Sequence, residues 1–582
     1  MTETIKIESS LVQNGDLNDF TKRGELNELY YDVCSLGWPS LTRRFDKSSI
    51  MQQLFCDTKV SGSERVVYVG NETELSRFKI WLDGSDVSVR VLPVLSSVSE
   101  FSALQPGLLA LHPEEIFVVP GGRFQELYGW DSYFMALGIL NSHSSEKSPN
   151  ERFSVASGIL KHLVYQIRTF GRIHNANRSY FVNRSNPPFL TSLIKEMARF
   201  AKIHDEKLFS SDLFNESVAA AETEMRSVWL SADRTDPITG LAKYGSGSLA
   251  ALCLAVEEGH YDETFSHIAT ARGLTSRELV ARIKVGDWPK SDREVWRVVE
   301  NDLAVRESGH DTTERLVNSA STLCTSDLNS LIFKSLMDLY ELTGLHEWLN
   351  LATLRRTSMH LHMYDEKLGY FCDLDSETGN KKRFLSPAGT IYPLWAGVVD
   401  SKSIARKIRD TTVIYLEQVG GIVGSEYLRG GPPSVSITQR QWDWPFGWAP
   451  HQIMAWEGLK KYDFHEDARR LCFRWISRLS AYYKKFRCVP EKVDVVNEDT
   501  NIDRGQDVEY GTQANTPGEF FAWTCASVTV ALGCGYLHEQ DASLLNSFPE
   551  FSQTERLFYL NTVKNDVIHS SMTWSTASDH SI

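Results

Sequence analysis

Helical periodicity runs from about residue 116 to about residue 540 of this 582-residue chain, and it restricts the folds available to it. One helical face ends before the stop signal Gly171 and consists of Leu160, Leu163, Val164, Ile167 and Phe170. A second face ends before Gly344 and consists of Leu328, Ile332, Leu339 and Leu342. Amphipathic helices must bury these faces against one another. We therefore expect an all-α fold in one large domain.

The two ends of the chain differ from this helical part. Residues 1–115 mix polar helical stretches with alternating apolar runs at 65–69 and 87–91, which predict short strands. The last forty residues are polar. We expect an N-terminal elaboration of mixed structure at 1–115 that packs on the helical domain at 116–540, followed by a C-terminal tail at 541–582.

Charge and composition narrow the possible partners. The net charge of −14 and the acidic isoelectric point of about 5.7 argue against nucleic acid and anionic membranes, which are bound through positive patches. The first thirty residues contain no apolar run typical of a signal peptide, and no later stretch is long enough for a membrane span. These features favour a cytoplasmic protein that acts on a neutral, polar small molecule.

A loop rich in aromatic and charged residues lies at 120–133, with the sequence PGGRFQELYGWDSY. Sugars are bound by such mixtures, because carboxylates, guanidinium groups and amides bond their hydroxyls while aromatic rings pack on their C–H faces. The alternative is structural: Trp130 and Tyr133 could be core residues at the start of a helix that Asp131 caps. For a Trp–Asp pair alone, this alternative is favoured.

A second loop at 441–450, QWDWPFGWAP, repeats the same mixture of residues about three hundred positions later. The two segments resemble the two signature motifs of the trehalases, glycoside hydrolase family 37, and the similarity is greatest to the fungal neutral trehalases. Further similar segments follow in the family's order at 106–111, 175–180, 306–312, 327–331 and 491–494. This resemblance implies an (α/α)6 barrel of the six-hairpin glycosidase type.

The resemblance also implies a mechanism. Trehalases are inverting glycosidases, in which a carboxylic acid protonates the glycosidic oxygen while a carboxylate deprotonates the attacking water, with no metal and no cofactor. By resemblance the acid is Asp311 and the base is Glu491. Considered without the family, each of these carboxylates would more often be a surface acid or a helix cap.

Substrate contacts are implied in the same way. The residues that match the family's sugar-binding positions are Arg123, Phe124, Trp130, Asp131, Asn175, Arg184, Gln441, Trp442 and Glu509. Arg123 and Arg184 have an equally good alternative as buried salt-bridge partners.

Three segments depart from the family pattern, and all three concern substrate recognition. A Glu-containing segment is replaced by the apolar, helix-like stretch 249–260, where the expected Glu falls near Ala255 and Glu257 could substitute for it. Asn186 stands where a longer Gln is usual. The C-terminal lid at 519–523 has lost two glycines and with them backbone freedom. Because of these changes, the motifs support the reaction type more strongly than the identity of the substrate.

Three hypotheses follow. The first is an α,α-trehalase that hydrolyses trehalose to two glucose molecules. The second is a trehalase-like barrel redirected to another glycoside or to a non-sugar metabolite by the same carboxylates. The third is a catalytically silent protein that binds a sugar, and retention of both carboxylates argues against it.

Overall fold

The computed structural model describes most of the chain, and every structural statement below concerns these residues: 25–56, 64–93, 98–102, 104–142, 147–245, 248–256, 261, 264–427, 440–497 and 517–537. Its α-helices up to the start of the second half are α1 Glu25–Asp32, α2 Trp38–Leu41, α3 Lys47–Cys56, α4 Glu72–Trp81, α5 Val98–Ser102, α6 Gly129–Leu140, α7 Pro149–Phe170, α8 Leu190–His204, α9 Ser211–Glu224, α10 Leu249–Ala255, α11 Ser266–Thr270, α12 Ser276–Lys284 and α13 Arg293–Ser308. The remaining α-helices are α14 Ser326–Thr343, α15 His346–His362, α16 Pro387–Ala396, α17 Lys402–Thr411, α18 Ala449–Lys461, α19 His465–Phe486 and α20 Ala522–Gly533.

Strands are short and scattered between these helices. They are β1 Thr42–Arg44, β2 Val66–Val69, β3 Ser88–Val91, β4 Leu108–Leu109, β5 Ile116–Val118, β6 Leu323–Cys324, β7 Tyr364–Asp365, β8 Tyr370–Phe371, β9 Asp373–Asp375, β10 Lys381–Lys382, β11 Glu417–Gln418, β12 Gly421–Ile422, β13 Phe446–Trp448 and β14 Lys492–Asp494.

Six apolar helices form a closed ring in which each packs against the next and the last packs against the first: α6, α8, α14, α16, α18 and α20. Outside this ring lie α7, α9, α15, α17 and α19, each of which follows one inner helix and leads back to the next. The sixth outer position is taken by the stretch from α1 to α2, which packs on α19 and α20. The expected all-α (α/α)6 barrel is therefore confirmed.

Closure of the ring depends on small residues where its first and last helices meet. A Cβ atom on Gly138 of α6 would lie 2.5 Å from the Cβ atom of Ala526 in α20. The Thr529 hydroxyl of α20 also donates a hydrogen bond to the Gly138 carbonyl over 2.8 Å. A larger side chain at Gly138 or at Ala526 would push α6 and α20 apart.

The N-terminal part has the expected mixed structure. β2 lies between β3 and β4 in a parallel three-stranded sheet, and β1 pairs with β5 in antiparallel register. The sequence-predicted strands at 65–69 and 87–91 correspond to β2 and β3. The domain boundaries at 115 and 540 remain a prediction, and the tail at 541–582 lies outside the described residues.

The chain makes an excursion between the outer helix α9 and the inner helix α14. Helices α10 to α13 of this excursion share an apolar cluster that is separate from the barrel core and includes Leu252, Phe265, Ile283, Trp296 and Leu303. The apolar stretch that begins at Leu249 is helical as expected, and it contributes Ala255 to this cluster. The excursion thus carries a core of its own.

Three aromatic segments rich in Gly and Pro, at 118–133, 430–450 and 485–523, are predicted by that composition to lack regular elements. In their described parts this prediction was wrong in part. α6 begins inside the first of these loops, while β13 and the start of α18 lie in the second. β13 pairs with β14 of the third loop, with Gly447 opposite Val493. Because the two strands are far apart in sequence, no local pattern could reveal the pairing.

Candidate active site

The predicted site residues lie in the segments that enter the inner helices. Arg184 precedes α8, Asp311 precedes α14, Gln441 precedes α18 and Glu491 precedes α20, whereas Asp131 lies in the first turn of α6. In a ring of helical hairpins the outer helices run back between the inner ones, so the inner helices all start at the same end. This arrangement gathers the predicted residues at one end of the barrel.

Asp131 lies within electrostatic range of both predicted catalytic carboxylates. Burial raises the pKa of the Asp131 carboxyl to about 8, and the charges of Glu491 and Asp311 act in the same direction. Asp131 itself is buried, whereas Asp311 and Glu491 are both partly exposed. At pH 7 Asp131 therefore holds its proton and can donate a hydrogen bond, beside two carboxyl groups that solvent can reach.

Indole rings pack together behind these carboxyl groups. The ring of Trp130 lies 5.7 Å from that of Trp442 and 5.9 Å from that of Trp523, and Trp442 stacks on Trp448 at 3.9 Å. The half-buried Phe124 packs edge-on against Phe521 at 6.0 Å. Such rigid aromatic walls exclude water and offer flat surfaces to the C–H faces of a sugar.

The loop that carries Gln441 runs alongside the loop that carries Asp311. The Gln441 side-chain amide donates to the Asp311 carbonyl, and the Trp442 N–H donates to the Thr312 carbonyl over 3.1 Å. The Asp443 carboxylate then accepts from the Thr313 hydroxyl and from the Glu314 N–H, each over 2.7 Å. Successive residues of one loop thus bond successive residues of the other.

The same Gln441 loop continues into β13 and reaches Glu491 through the β13–β14 pair. Lys492 follows Glu491 and donates from Nζ to Gln441 Oε1 over 3.1 Å. The Glu491 carbonyl accepts from Trp523 Nε1 over 2.8 Å and from the Thr524 hydroxyl over 3.3 Å, both at the start of α20. The Asp311 backbone is therefore bonded to the segment at 441–448, whereas Glu491 is bonded to α20 and lies next to Lys492, which contacts that segment.

Glu307 anchors the Arg184 segment to the end of α13. Its buried carboxylate pairs with Arg234 through contacts of 2.6 and 2.7 Å and accepts from the Ser185 and Gly245 N–H groups over 2.8 and 2.6 Å. Although burial acts to raise it, the charge of Arg234 and these hydrogen bonds lower the pKa of Glu307 to about 2. The buried Arg184 is thereby fixed next to Ser185, with its guanidinium over the Phe181 ring at 4.6 Å.

Asn186 performs a structural function. Its Oδ1 accepts from the Trp130 N–H over 2.5 Å, at the buried start of α6. The alternative that Asp131 caps a helix is wrong in its choice of cap, because α6 begins at Gly129 and Asp131 lies within the first turn. Trp130 and Asp131 are thus oriented by a residue from another segment.

Other predicted residues are less central. Arg123 is exposed, with its guanidinium over the Phe124 ring at 4.9 Å, and the half-buried Asn175 accepts from the Gly129 N–H through its backbone carbonyl over 3.2 Å. Glu509 and Glu257 lie outside the described residues.

The altered lid at 519–523 is fastened on two sides. The Val489 N–H donates to the Glu519 carbonyl and the Phe521 N–H donates to the Val489 carbonyl, each over 2.9 Å. On the other side the Ala522 N–H donates to the Pro120 carbonyl over 2.8 Å. Gly121 allows this approach, since its φ is +110° and a Cβ atom there would lie 2.4 Å from the Phe520 carbonyl oxygen. The lid thus joins the Glu491 segment to the 120–133 loop.

Sequence reasoning missed four buried residues that support these loops: Glu307, His310, Asp443 and Lys492. His310 lies beside Asp311 and accepts at Nε2 from the Tyr392 hydroxyl over 3.3 Å, while its ring packs on Trp442 at 4.7 Å. Burial lowers the pKa of His310 to about 4, so its ring is neutral at pH 7. All four stand within or next to the quoted motifs, which was a signal available from the sequence.

The described residues contain no cluster of three or more His, Cys, Asp or Glu side chains suited to hold a metal ion. None of the described helices is long and apolar enough to cross a membrane.

An (α/α)6 barrel with carboxyl groups and aromatic walls at one end belongs to the class of glycoside hydrolases. The model of the trehalase family matches residues 17–534, and this chain belongs to that family. It is 33% identical over 550 residues to a cytosolic neutral trehalase of Saccharomyces cerevisiae, covering 85% of this chain and 70% of the yeast protein. Identity to the cytosolic neutral trehalase of Emericella nidulans is 31%, over 87% of this chain and 72% of that protein.

A solved structure is also similar. The neutral trehalase Nth1 from Saccharomyces cerevisiae superposes with a TM-score of 0.77 at 29% sequence identity, over 92% of this chain and all of that chain. The chain is thus an enzyme of the glycosidase type.

Proposed function

We propose that this protein hydrolyses α,α-trehalose to two molecules of glucose with inversion at the attacked carbon. The observation that carries the proposal is the convergence of Asp311 and Glu491 on Asp131, at the end of the barrel where the inner helices begin. Family membership and the trehalases named among its relatives support the choice of substrate.

The proposed reaction uses one proton donor and one proton acceptor. Asp311 protonates the glycosidic oxygen as the C–O bond breaks, and Glu491 takes a proton from the water that attacks the anomeric carbon from the opposite face. After the reaction Asp311 is ionised and Glu491 is protonated, and exchange with solvent restores both. The partial exposure of these two side chains allows that exchange.

The remaining residues would bind and orient the sugar. Asp131, protonated at pH 7, donates to a sugar hydroxyl, while Arg184 and Gln441 supply further donors from the walls of the site. Trp130 and Trp442 provide the aromatic surface, although Trp442 also stacks on Trp448. Arg123, Phe124, Asn175 and Glu509 complete the proposed set of contacts.

The anomeric form of the first products tests this mechanism. Inversion turns the attacked α-linked unit into β-glucose and releases the other unit as α-glucose, so proton NMR of the nascent products should show equal amounts of both. Retention would give only α-glucose at first. A 1:1 ratio observed before mutarotation supports the proposal, and pure α-glucose contradicts it.

The roles of the two carboxylates are tested by isosteric amides. Asp311→Asn and Glu491→Gln should each lower kcat about 10²–10⁴-fold, since general acid or base catalysis contributes that much. Both changes keep the side-chain shape, so circular dichroism should be unchanged. Wild-type rates in either folded variant would remove that residue from the reaction.

A redirected substrate is the second candidate, favoured by the packing of α10. Ala255, near the position of the family's Glu, is 2% exposed within the separate apolar cluster of the excursion. Ala255 therefore supplies no sugar contact, whereas the family places a sugar-binding carboxylate near this position. A folded wild-type protein that releases no glucose from trehalose, yet cleaves another glycoside in an Asp311-dependent manner, would establish this alternative.

We also propose that the enzyme acts in the cytoplasm on a small neutral sugar. The names of its cytosolic relatives and its net charge of −14 support this location and this class of substrate. Fractionation of the native host, with immunodetection of the protein, tests it.

A further inference from the structure

Lys492 is a buried charge next to the proposed base. Its side chain is 1% exposed, and its Nζ lies 3.8 Å from Glu491 Oε2. The same ammonium group lies 5.3 Å from the Trp448 ring and donates to Gln441 Oε1. Burying an ammonium group among indole rings is costly unless it is paired, so its presence here calls for a reason.

In the part of the chain that the structure describes, three elements place an ionisable group near Glu491. Lys492 at the start of β14 is positive, whereas Asp131 of α6 and Asp311 before α14 are carboxyl groups at the same end of the barrel. Burial raises the pKa of Asp131 to about 8, so this neighbour adds no negative charge at pH 7. A cation at this distance favours the ionised form of a carboxylate, the form that a general base requires.

Gln441 links Lys492 to the opposite side of the site. Its Oε1 accepts from the Lys492 ammonium over 3.1 Å, and its Nε2 donates to the Asp311 carbonyl. A side-chain amide has one oxygen and one NH₂ group, and here they point to different catalytic segments. Lys492 therefore fixes the orientation of this amide, because the flipped amide would place its NH₂ group against the ammonium.

We propose that Lys492 is a positioning residue that keeps the Glu491 carboxylate ionised and, through Gln441, sets its place relative to the Asp311 loop. This inference rests on the proposed function, which assigns Glu491 as the base. Lys492 touches neither the sugar nor the reacting atoms in this assignment.

The pH profile of kcat/KM for trehalose hydrolysis tests the electrostatic part. Lys492→Gln can still donate to Gln441 Oε1 but has no charge. The acidic limb of the pH profile of this variant should therefore lie about one pH unit higher than that of the wild type, which is a tenfold change in proton concentration. Lys492→Arg keeps the charge and should keep the limb near its wild-type position. A limb in Lys492→Gln that coincides with that of the wild type would overturn the proposal.

Lys334→Met is the matched control. This lysine also pairs with a carboxylate, Asp338 at 2.9 Å, and lies over the Trp395 ring at 5.0 Å, but it belongs to α14 beyond the site loops. Its removal should leave the acidic limb in place. Equal shifts in Lys334→Met and Lys492→Gln would show a general charge effect and contradict the proposal.

A second readout does not depend on activity. In protein labelled with ¹³C at glutamate carboxyl groups, the Glu491 signal is the one that disappears in Glu491→Gln, and its titration midpoint can be followed directly. A midpoint about one unit higher in Lys492→Gln supports the inference even if trehalose is not the substrate. An unchanged midpoint refutes it, whether or not the enzyme cleaves trehalose.

Discussion

The loops around Asp311 and the excursion between α9 and α14 are held together by different forces. Around Asp311, buried carboxylates accept hydrogen bonds from distant segments, as Glu307 does from Ser185 and Asp443 does from Thr313. The excursion buries an apolar cluster shared by its own helices, and its ion pair between Arg272 and Asp292 is partly exposed. Hydrogen bonds prescribe direction and distance, whereas apolar contacts tolerate change as long as volume is conserved.

This difference bears on one of the three segments in which the chain departs from its family, the stretch at 249–260. The other two, Asn186 and the lid at 519–523, are themselves part of the polar region. The proposed catalytic residues lie in the segments joined by polar contacts, and their motifs are intact. The altered stretch at 249–260 belongs in its described part to α10, whose apolar packing is separate from the segments that carry Asp311 and Glu491. The packing of α10 can therefore vary separately from the segments that carry the proposed acid and base.

The largest effect is expected from Glu307→Ala, because Glu307 pairs with Arg234 and accepts hydrogen bonds in the polar region around Asp311. It leaves the Arg234 guanidinium buried without its carboxylate, and loss of one partner of such a pair costs about 3–5 kcal/mol. Urea unfolding followed by tryptophan fluorescence measures the change. Glu347→Ala removes an exposed glutamate that pairs with Arg226 and should cost at most about 1 kcal/mol. Similar losses of unfolding free energy in Glu307→Ala and Glu347→Ala would contradict the special importance of the buried polar contacts.

Asp131→Asn should have an effect that depends on pH. The folded-state pKa of Asp131 is about 8, well above the value of about 3.9 for an unfolded aspartate, so the native state binds the extra proton between these values. Its contribution to stability is complete below pH 4 and is lost as pH rises towards 8. Asparagine does not titrate, so the variant should gain on the order of 2–4 kcal/mol over the wild type between pH 4.5 and 8.

The free energies of unfolding of the wild type and of Asp131→Asn, measured between pH 4.5 and 8, give the gain in stability of the variant. The other described carboxyl groups with raised pKa values, Glu224, Asp410, Asp443 and Glu457, are present in both proteins and cancel in the difference. A difference that does not grow with pH would mean that Asp131 is ionised in the folded protein.

The smallest effect is expected from Ala255→Glu, which restores a carboxyl group in the excursion. The new side chain enters an apolar cluster without a partner, at a cost of about 1–3 kcal/mol, and trehalose turnover should not increase. Thermal unfolding and glucose release measure both quantities, with Ala255→Leu as a control for size alone. A stable variant with faster trehalose hydrolysis would show that position 255 borders the substrate and would remove the separation between the two regions.

Helix ends and short strands could be predicted from the sequence. The helices ending before Gly171 and Gly344 were predicted from their apolar faces and the glycines that follow them. Both glycines adopt the left-handed backbone conformation, with φ of +83° and +71°. β2 and β3 were predicted from alternating apolar residues. Each signal lies within a few residues of the structure it specifies.

Other features needed the folded chain. Nothing near Trp130 in sequence shows that Asn186 accepts its N–H, or that Gln441 joins Lys492 to the Asp311 carbonyl. Resemblance to the trehalase motifs identified Asp311 and Glu491 as candidates, but it did not reveal Glu307, Asp443 or Lys492 as their supports. These contacts link residues dozens to hundreds of positions apart, so no periodicity records them.

The sequence by itself determined that this chain folds into amphipathic helices separated by aromatic loops, and its motifs identified the family. These outcomes depend on local backbone preference and on the apolar pattern, which act over one or two helical turns. Only the tertiary structure decided which loops meet, that Asp131 is buried beside Asp311 and Glu491, and that Ala255 belongs to a separate core. Burial, charge coupling and hydrogen bonding between distant segments exist only once the ring of helices has closed.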